Sequence, residues 1–303
     1  MSLPIHPVKG VNGILLLDKP SGMSSNYALT AAKIALNVKK AGHTGSLDPL
    51  ASGMLPLCFG EATKFARFLL ESDKCYQVVA KLGETTPTGD SEGDILERKP
   101  VPQLTQSFLE EALKPFKGNI SQVPPMYSAL KHKGQPLYKL ARQGKMVERP
   151  ARDVCIHQLQ LDAFSQTAKE ATLSLTVECS KGTYIRTLVE DIGAALGCGA
   201  HVVVLRRLWV GSFKNLPMVT LDDFKAAPDL SHLLPAHFAL NGHPEIILSQ
   251  AQTNELKFGR LVELGHKANS GWVCLKDQFG DFIGVGEILS GDRLAPRRMM
   301  QTN

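Results

Sequence analysis

The stretch that most constrains this chain lies at residues 41–56, where three glycines and two prolines surround a single aspartate, Asp48. Glycine permits positive φ and lets a ligand approach the backbone closely. Pro49 fixes φ directly after Asp48 and removes one amide donor. This composition predicts a stiff loop that presents one carboxylate; the alternative is an ordinary glycine-rich connector whose aspartate caps a turn. The three glycines are Gly42, Gly45 and Gly53.

The segment before this stretch predicts a strand and then a helix. Apolar residues 13–17 are typical of a buried strand. A turn follows, with an N-cap at Ser24 or Ser25 and helical spacing of apolar residues from Tyr27 to Val38. The helix therefore delivers the chain to the Asp48 stretch.

The segment after it has the same mixed character. Residues 61–72 predict a helix, and residues 75–82 predict a strand with Tyr76 on its apolar face. Ser107 and Glu110 form a capping-box pattern at the start of a further helix.

Farther along, residues 171–179 alternate between apolar and polar, which predicts a half-buried strand. A helix closed at Gly197 and a buried strand at residues 201–208 follow. Because strands and helices mix without regular βαβ alternation, we expect an α+β fold with a mixed, mainly antiparallel sheet flanked by helices.

Positive charge concentrates in one segment, from Lys131 to Arg152. It holds seven Lys or Arg residues and one acid, whereas the whole chain has a net charge of +5. Such a patch indicates a surface for a polyanion, although many charge runs are only solvated loops. Pro124 and Pro125 predict a protruding segment with one short helix at residues 137–141. The cations are Lys131, Lys133, Lys139, Arg142, Lys145, Arg149 and Arg152.

The six cysteines form no Cys-x-x-Cys pair, and most lie in apolar patterns typical of buried, reduced thiols. Cys198 and His201 have ligand-like spacing but lack a second close pair, so we expect no metal. The sequence contains neither a signal-peptide pattern nor an apolar run of membrane-spanning length. These features predict a protein of the reducing cytoplasm.

Five ordered strings between about residues 11 and 225 carry a resemblance to a known family. The string HTGSLDPLASG at residues 43–53 closely resembles the catalytic motif of the TruB-type pseudouridine synthases, which modify uridine 55 of tRNA. The other strings lie at residues 18–25 (DKPSGMSS), 124–131 (PPMYSALK), 180–187 (SKGTYIRT) and 205–207 (LRR).

The resemblance implies roles for single residues. Asp48 is the implied catalytic residue, either as a nucleophile or as the base that removes a C2′ proton. Tyr76 is expected to stack on the target base and Leu205 to lie beneath that base. His43 is expected to contact the RNA where the base leaves its loop, and Tyr184 to form a hydrogen bond beside Asp48.

The resemblance also implies support for Asp48. Arg186 is expected to pair with it, and Lys19, Pro20 and Asp90 to support the active site. The alternative for Arg186 is an exposed helical arginine that pairs locally with Glu190. Such surface pairs contribute little.

The implied domain organisation has two parts. Residues 1–245 form a catalytic domain of the pseudouridine synthase fold, with a thumb-like insertion at about residues 124–152 that closes on RNA. Residues 246–303 form a small β-rich, PUA-like domain. The stretch at residues 228–244, rich in Pro, His and Gly, predicts a linker between them.

The expected activity is isomerisation of uridine 55 in the T-loop of tRNA, by base flipping and exchange of the glycosidic bond. We expect a monomer that binds the T-arm and needs no cofactor, metal, membrane or guide RNA. Three alternatives stay open: a guide-dependent synthase of the same superfamily, a noncatalytic tRNA-binding or tRNA-folding module, and a hydrolase with an aspartate nucleophile.

Overall fold

The computed structural model describes residues 10–265, 268–290 and 292–301. Up to residue 122 the elements are β1 (Gly13–Lys19), α1 (Ser25–Ala35), β2 (Ala41–His43), β3 (Ser52–Phe59), a 3₁₀ turn (Gly60–Phe65), α2 (Ala66–Leu70), β4 (Lys74–Leu82), β5 (Glu84–Thr85), β6 (Glu97–Arg98), α3 (Gln106–Leu113), a 3₁₀ turn (Lys114–Phe116) and β7 (Gly118–Gln122).

From there to residue 226 the chain forms β8 (Lys131–His132), β9 (Gln135–Pro136), α4 (Leu137–Ala141), β10 (Arg152–Gln166), β11 (Ala171–Cys179), α5 (Ile185–Ala195), β12 (Ala200–Val210), a 3₁₀ turn (Gly211–Phe213), β13 (Val219–Thr220) and α6 (Leu221–Ala226). The remaining elements are a 3₁₀ turn (Leu230–His232), β14 (Leu233–Leu234), a 3₁₀ turn (Ala236–Leu240), β15 (Glu245–Ile247), α7 (Gln250–Lys257), β16 (Val262–Glu263), β17 (Gly271–Lys276), β18 (Phe282–Ile288) and β19 (Arg293–Met299).

The main sheet has ten strands in the order β13-β1-β3-β12-β4-β11-β10-β7, with β14 beside β1 and β2 beside β3. Only the β1–β13 and β3–β12 pairs are parallel. The predicted α+β class with a mixed, mainly antiparallel sheet is therefore confirmed. Across the described ranges, no helix combines the length and apolar character needed to cross a lipid bilayer.

Strand β1 is buried on both faces, which explains its unbroken apolar run. Leu15 and Leu17 join the main core with residues of α1 and α5, whereas Ile14 and Leu16 pack with Phe65 in a second core. A strand covered on both faces needs apolar side chains at every position.

Helix α1 begins where the sequence predicts, because the Ser24 hydroxyl accepts a hydrogen bond from the Tyr27 amide at 3.1 Å. The larger apolar side chains nevertheless lie on its outer face. Tyr27 and Ile34 are 63% and 72% exposed, whereas Ala28 and Ala32 are fully buried. Small side chains let the helix approach the sheet closely, so the buried face is the alanine face.

The predicted capping box of α3 is wrong. The cap is Thr105, whose hydroxyl accepts from the Phe108 amide at 3.2 Å, and Ser107 lies inside the helix. The preceding Leu104 is buried and its amide donates to the Gln166 side chain at 2.8 Å. This long-range contact fixes where the chain enters the helix.

Residues 228–244 pack against the rest of the protein, so the prediction of a linker is wrong for this segment. Strand β14 pairs with β1, and Ala236, Ala239 and Leu240 are buried in the second core. Burial of these apolar groups stabilises the segment against the main sheet.

Strands β5 and β6 form one two-stranded sheet, and β8 and β9 form another. The C-terminal strands form a five-stranded sheet in the order β15-β17-β18-β19-β16, with its own core around Leu256, Leu275 and Leu294. Phe65 and Phe282 meet edge to face in the second core, with ring centroids 5.1 Å apart, and join this sheet to the rest of the protein. The strands predicted near the C-terminus are confirmed, and the division of the chain at residue 245 stays a prediction.

We predict that Gly53→Ala destabilises the fold, because Gly53 has φ +98° and a Cβ would lie 2.2 Å from the Arg207 carbonyl oxygen. The free energy of unfolding should fall by more than about 1 kcal/mol. Urea denaturation measures this change.

Gly42→Ala is the matched control, since no atom lies within 4 Å of its Cβ position. Its unfolding free energy should stay within about 0.5 kcal/mol of the wild type. Equal reductions for both variants would contradict the role given to Gly53.

Candidate active site

The Asp48 loop, defined as residues 44–51, joins β2 to β3. The amide of Thr44 donates to the Pro56 carbonyl at 3.1 Å, and that of Ala51 donates to the Asp48 carbonyl at 3.0 Å. Gly45 has φ +116°, which a side chain rarely adopts. The loop is therefore held by its own backbone and presents Asp48, whose side chain is 39% exposed.

The turn after β1 forms hydrogen bonds with this loop. Gly22 donates its amide to the Pro49 carbonyl at 2.8 Å. The buried Ser25 hydroxyl donates to the Leu47 carbonyl at 3.0 Å and accepts from the Leu47 amide at 2.7 Å. The string at residues 18–25 thus supports the backbone beside Asp48.

Lys19, the last residue of β1, is fully buried. Its ammonium donates to the carbonyls of Pro20 at 2.9 Å, Met23 at 2.7 Å and Pro49 at 3.4 Å. Burial lowers the pKa of Lys19 to about 8, while the Asp48 carboxylate opposes that change. Pro20 is exposed and its carbonyl accepts one of these hydrogen bonds, so Lys19 joins the turn after β1 to the Asp48 loop.

The expected pair between Asp48 and Arg186 forms, with Arg186 Nε 2.9 Å from Asp48 Oδ2. Arg186 lies in the first turn of α5, and its side chain is only 5% exposed. Its two terminal nitrogens donate to the carbonyls of Thr88 and Tyr127, each at 2.7 Å. A guanidinium fixed at three points orients the carboxylate with little freedom.

Asp90 stands behind this arginine, with Oδ2 3.6 Å from Arg186 Nη1 and 2% of the residue exposed. Its other oxygen accepts from the Thr88 hydroxyl at 2.6 Å and from the Glu92 amide at 3.1 Å. The Asp90 carboxylate therefore partners the buried guanidinium at a different nitrogen from the one that Asp48 approaches.

Burial dominates the electrostatics of Asp48 and raises the pKa of its carboxyl above the ordinary value. The positive charge of Arg186 acts against this rise, Asp90 adds to it, and Lys19 opposes it. Arg186 therefore reduces, but does not cancel, the free-energy cost of placing the Asp48 carboxylate at this partly buried position.

Two tyrosines lie close enough to Asp48 for its charge to affect them. Burial raises the pKa of Tyr76 and of Tyr184, and the Asp48 carboxylate adds to both rises. Leu205, 5% exposed on β12, faces the strand that carries Tyr76. For His43, burial and then Arg207 lower the pKa, and its Nδ1 is buried without a hydrogen-bond partner among the described residues.

The basic segment forms a small unit between β7 and β10 with its own core of Met126, Leu137 and Leu140. The predicted short helix is α4. All the cations except the partly buried Arg149 are exposed, and within the described part of the chain none of the seven forms an ion pair. The Tyr127 carbonyl accepts a hydrogen bond from Arg186 and so joins the base of the segment to the residues around Asp48.

Sequence reasoning missed Arg207, which is 1% exposed and bonds to the backbone of the Asp48 stretch. The alternation of side chains along a strand could have identified it. Along β12 this alternation puts Arg207 on the same face as the buried Leu205, and Arg206 on the other face. Thr88 and Ser25 were also missed, because their contacts join distant segments.

The described residues include no group of three or more His, Cys, Asp or Glu side chains arranged to hold a metal ion. All six cysteines are free thiols; Cys155 is partly exposed and the other five are buried. Burial raises the pKa of Cys58 and Cys179 to about 12. Those two thiols are therefore protonated at neutral pH.

Family models match three consecutive parts of the chain. Residues 33–185 match the N-terminal domain of TruB family pseudouridylate synthases, residues 186–235 match the C-terminal domain of tRNA pseudouridylate synthase B, and residues 244–300 match the C-terminal region of pseudouridine synthase II TruB.

Curated relatives match over nearly the full length. A tRNA pseudouridine synthase B of Coxiella burnetii (strain RSA 493) is 52% identical and 99% of each chain is covered. One of Pseudomonas aeruginosa (strain UCBPP-PA14) is 48% identical with 97% of each covered.

Solved structures share the fold. The structure titled as a Cbf5-Nop10-Gar1 complex is 25% identical, with a TM-score of 0.69 over 92% of this chain and 79% of that one. An H/ACA RNP bound to a substrate RNA is 21% identical, with a TM-score of 0.71 over 96% of this chain and 85% of that one. This second likeness concerns the fold alone.

We predict that Asp48→Asn raises the free energy of unfolding at pH 7. Because the folded state raises the pKa of Asp48, the native protein resists ionising it, and this costs stability above the unfolded pKa. An uncharged amide removes that cost. The gain should shrink as the pH falls, since wild-type Asp48 is then protonated in both states.

Urea unfolding at pH 7 and at acid pH measures the difference between the two proteins. Asp94→Asn is the control, because Asp94 is exposed in the neighbouring turn. Its effect should stay within about 0.5 kcal/mol at every pH. A decrease in stability for Asp48→Asn at neutral pH would contradict the prediction.

Proposed function

The chain belongs to the TruB family of pseudouridylate synthases, and we propose that it converts uridine 55 in the T-arm of tRNA to pseudouridine without a guide RNA. Its relatives named tRNA pseudouridine synthase B identify the activity as tRNA pseudouridine synthesis, an isomerisation. The observation that carries the residue-level proposal is the ion pair of Asp48 with the buried Arg186.

The reaction exchanges one bond of the nucleotide for another. The bond from ribose C1′ to N1 of uracil breaks, the base turns, and a bond from C1′ to C5 forms. The hydrogen on C5 leaves and N1 gains a proton, so the composition is unchanged and nothing is oxidised. The protein must therefore supply a charged group beside the sugar and a site that retains the free base.

Asp48 is the group that we assign to the sugar. A carboxylate serves either as the nucleophile or as the base at C2′, and both roles need it ionised. Burial disfavours that form, and the Arg186 guanidinium favours it. The exposed part of the Asp48 side chain gives a flipped nucleotide access to it.

A stacked uridine cannot reach this carboxylate, so it has to leave the T-loop stack at a cost of a few kcal/mol. Stacking on Tyr76 would recover about 1–3 kcal/mol. Leu205 on the adjacent strand supplies an apolar surface for the same base, and His43 and Tyr184 supply polar groups beside it. The cost of flipping is thereby largely offset inside the site.

The basic segment is the proposed thumb that holds the T-arm. Its exposed lysines and arginines suit neutralisation of phosphates, and Tyr127 and Tyr138 lie among them. The Tyr127 carbonyl accepts a hydrogen bond from Arg186, so a displacement of the thumb when it binds RNA would shift Arg186 and, through the ion pair, Asp48. The proposal includes a monomer acting in the cytoplasm, where mature tRNA is used, without a metal.

The test incubates purified protein and EDTA with an unmodified T-arm stem–loop transcript and no guide RNA. Pseudouridine is scored at each uridine, for the wild type and for Asp48→Asn. We expect conversion at the T-loop uridine only, and its abolition in the variant, because an amide is neither a nucleophile nor a base of comparable strength.

Binding of the same transcript and light scattering accompany the assay. Asp48→Asn should bind the transcript as the wild type does, and both should be monomers. Tight binding by the wild type with no conversion would replace the proposal with a guide-dependent enzyme or a noncatalytic RNA binder. Conversion by Asp48→Asn would remove Asp48 from the mechanism.

A second prediction concerns the thumb. Replacing Lys139 and Lys145, both exposed, by glutamine should weaken T-arm binding and reduce the slope of log K against log salt by about one for each phosphate that is no longer neutralised. The conversion rate at saturating enzyme should be unchanged. Filter binding over a range of salt concentrations measures the slope.

The control replaces Lys169 and Lys225, exposed cations outside the thumb, by glutamine. It changes the net charge equally and should leave the slope near the wild-type value. Equal effects of the two double variants would mean that net charge, rather than the thumb, governs binding.

A further inference from the structure

Arg207 occupies a central position in the main sheet. Strand β12 lies between β3 and β4. Arg207 is in register with Gly53 on β3, at the end of the Asp48 stretch, and with Tyr76 on β4. Arg207 therefore lies next to the stretch that carries Asp48 and to the strand that carries Tyr76.

The side chain of Arg207 reaches the same two segments. Its Nε donates to the Met54 carbonyl at 2.7 Å and its Nη2 donates to the Gly45 carbonyl at 3.1 Å. Gly45 precedes Asp48 in the chain and Met54 follows it. Tyr76 stands beside Arg207 in the register of β12 and β4, and the guanidinium charge lowers the pKa of the Tyr76 phenol against the rise caused by burial.

The charge of this arginine is buried without an acidic partner. Only 1% of the residue is exposed, and within the described ranges no carboxylate forms an ion pair with it. The carbonyl oxygens of Gly45 and Met54 accept its hydrogen bonds instead. Its charge contributes to the lowered pKa of His43 and to that of Lys74, which burial chiefly lowers to about 8. A buried charge without a counter-charge lowers stability. A neutral hydrogen-bond donor would connect the same two carbonyls at a smaller cost in stability, so we look for a role of the charge beyond structural support.

We propose that Arg207 is a positioning residue of the reaction, one that sets the Asp48 carboxylate and the Tyr76 ring at a fixed separation across the target base. It does so through the carbonyls of Gly45 and Met54 and through its place beside Tyr76 in the sheet. This inference rests on the proposed function. A planar guanidinium donates to both carbonyls from fixed positions, which the single ammonium of lysine does not.

The neighbouring arginine provides a matched control. Arg206 points to the opposite face of β12 and forms a bidentate pair with Asp18, with Nη2–Oδ2 and Nη1–Oδ1 distances of 2.7 and 3.0 Å. Its side chain is 34% exposed. Replacing it removes the same charge from the same strand without touching Gly45, Met54 or Tyr76.

The experiment compares Arg207→Gln, Arg207→Lys and Arg206→Gln by single-turnover conversion and by equilibrium binding of the T-arm transcript. Both Arg207 variants should bind the transcript as the wild type does but convert it about 100-fold more slowly, the effect expected for reacting groups displaced by about 1 Å. Arg206→Gln should convert at nearly the wild-type rate. Circular dichroism and urea unfolding report whether each variant is folded.

A double-mutant cycle with Tyr76→Phe separates positioning from general support of the fold. Tyr76→Phe removes only the hydroxyl of the tyrosine that stands beside Arg207 in the sheet. If Arg207 acts through that hydroxyl, the substitution slows conversion in the wild type and has little further effect in Arg207→Lys. The cycle also decides the matter if Arg207→Gln does not fold.

Conversion at the wild-type rate by folded Arg207→Lys, or weaker RNA binding with an unchanged rate, would overturn the inference. Fully additive effects of Tyr76→Phe and Arg207→Lys would overturn it as well. The failure of the proposed function is distinguishable, since in that case the wild-type protein itself produces no pseudouridine.

Discussion

The candidate site depends on the buried guanidinium of Arg186. It joins the Asp48 carboxylate, the turn that carries Thr88 and Asp90, and the base of the thumb at Tyr127. Each of these segments comes from a different part of the chain, so none of them has its functional position without α5. Loss of Arg186 would leave the buried Asp90 carboxylate without its cation, which is far more damaging than the loss of one partner of a surface pair. The ion pair therefore couples the integrity of the fold to the geometry of the site.

The same pair defines a conflict between stability and activity. Burial raises the pKa of Asp48 and so favours the neutral carboxyl, whereas the proposed chemistry needs the carboxylate. Arg186 and Lys19 both favour the charged form, and Asp90 works against it while holding Arg186 in place. A protein optimised for stability alone would not keep a carboxylate there. Groups that lower stability but serve the reaction are common in active sites.

The main sheet and the thumb are assigned different tasks. Strands β3, β12 and β4 lie side by side at the centre of the sheet and hold the Asp48 stretch, Leu205 and Tyr76. Groups on such elements keep their separation better than groups on loops. The thumb instead carries exposed cations on a small independent core, where exact position matters less because phosphate attraction acts at longer range. The hydrogen bond from Arg186 to the Tyr127 carbonyl links the two parts.

The sequence by itself determined the types of element, the stiff Asp48 loop, the basic segment and the family, because periodicity, turn residues and motif strings are local properties. It did not determine which faces of the helices and strands pack against each other. The alanine face of α1, the cap at Thr105 and the packing of residues 228–244 follow from contacts between distant segments. Arg207 is the clearest case, since two adjacent arginines differ only in the face of β12 from which they project. Tertiary structure decided their roles because it alone places Gly45, Met54 and Tyr76 around one of them.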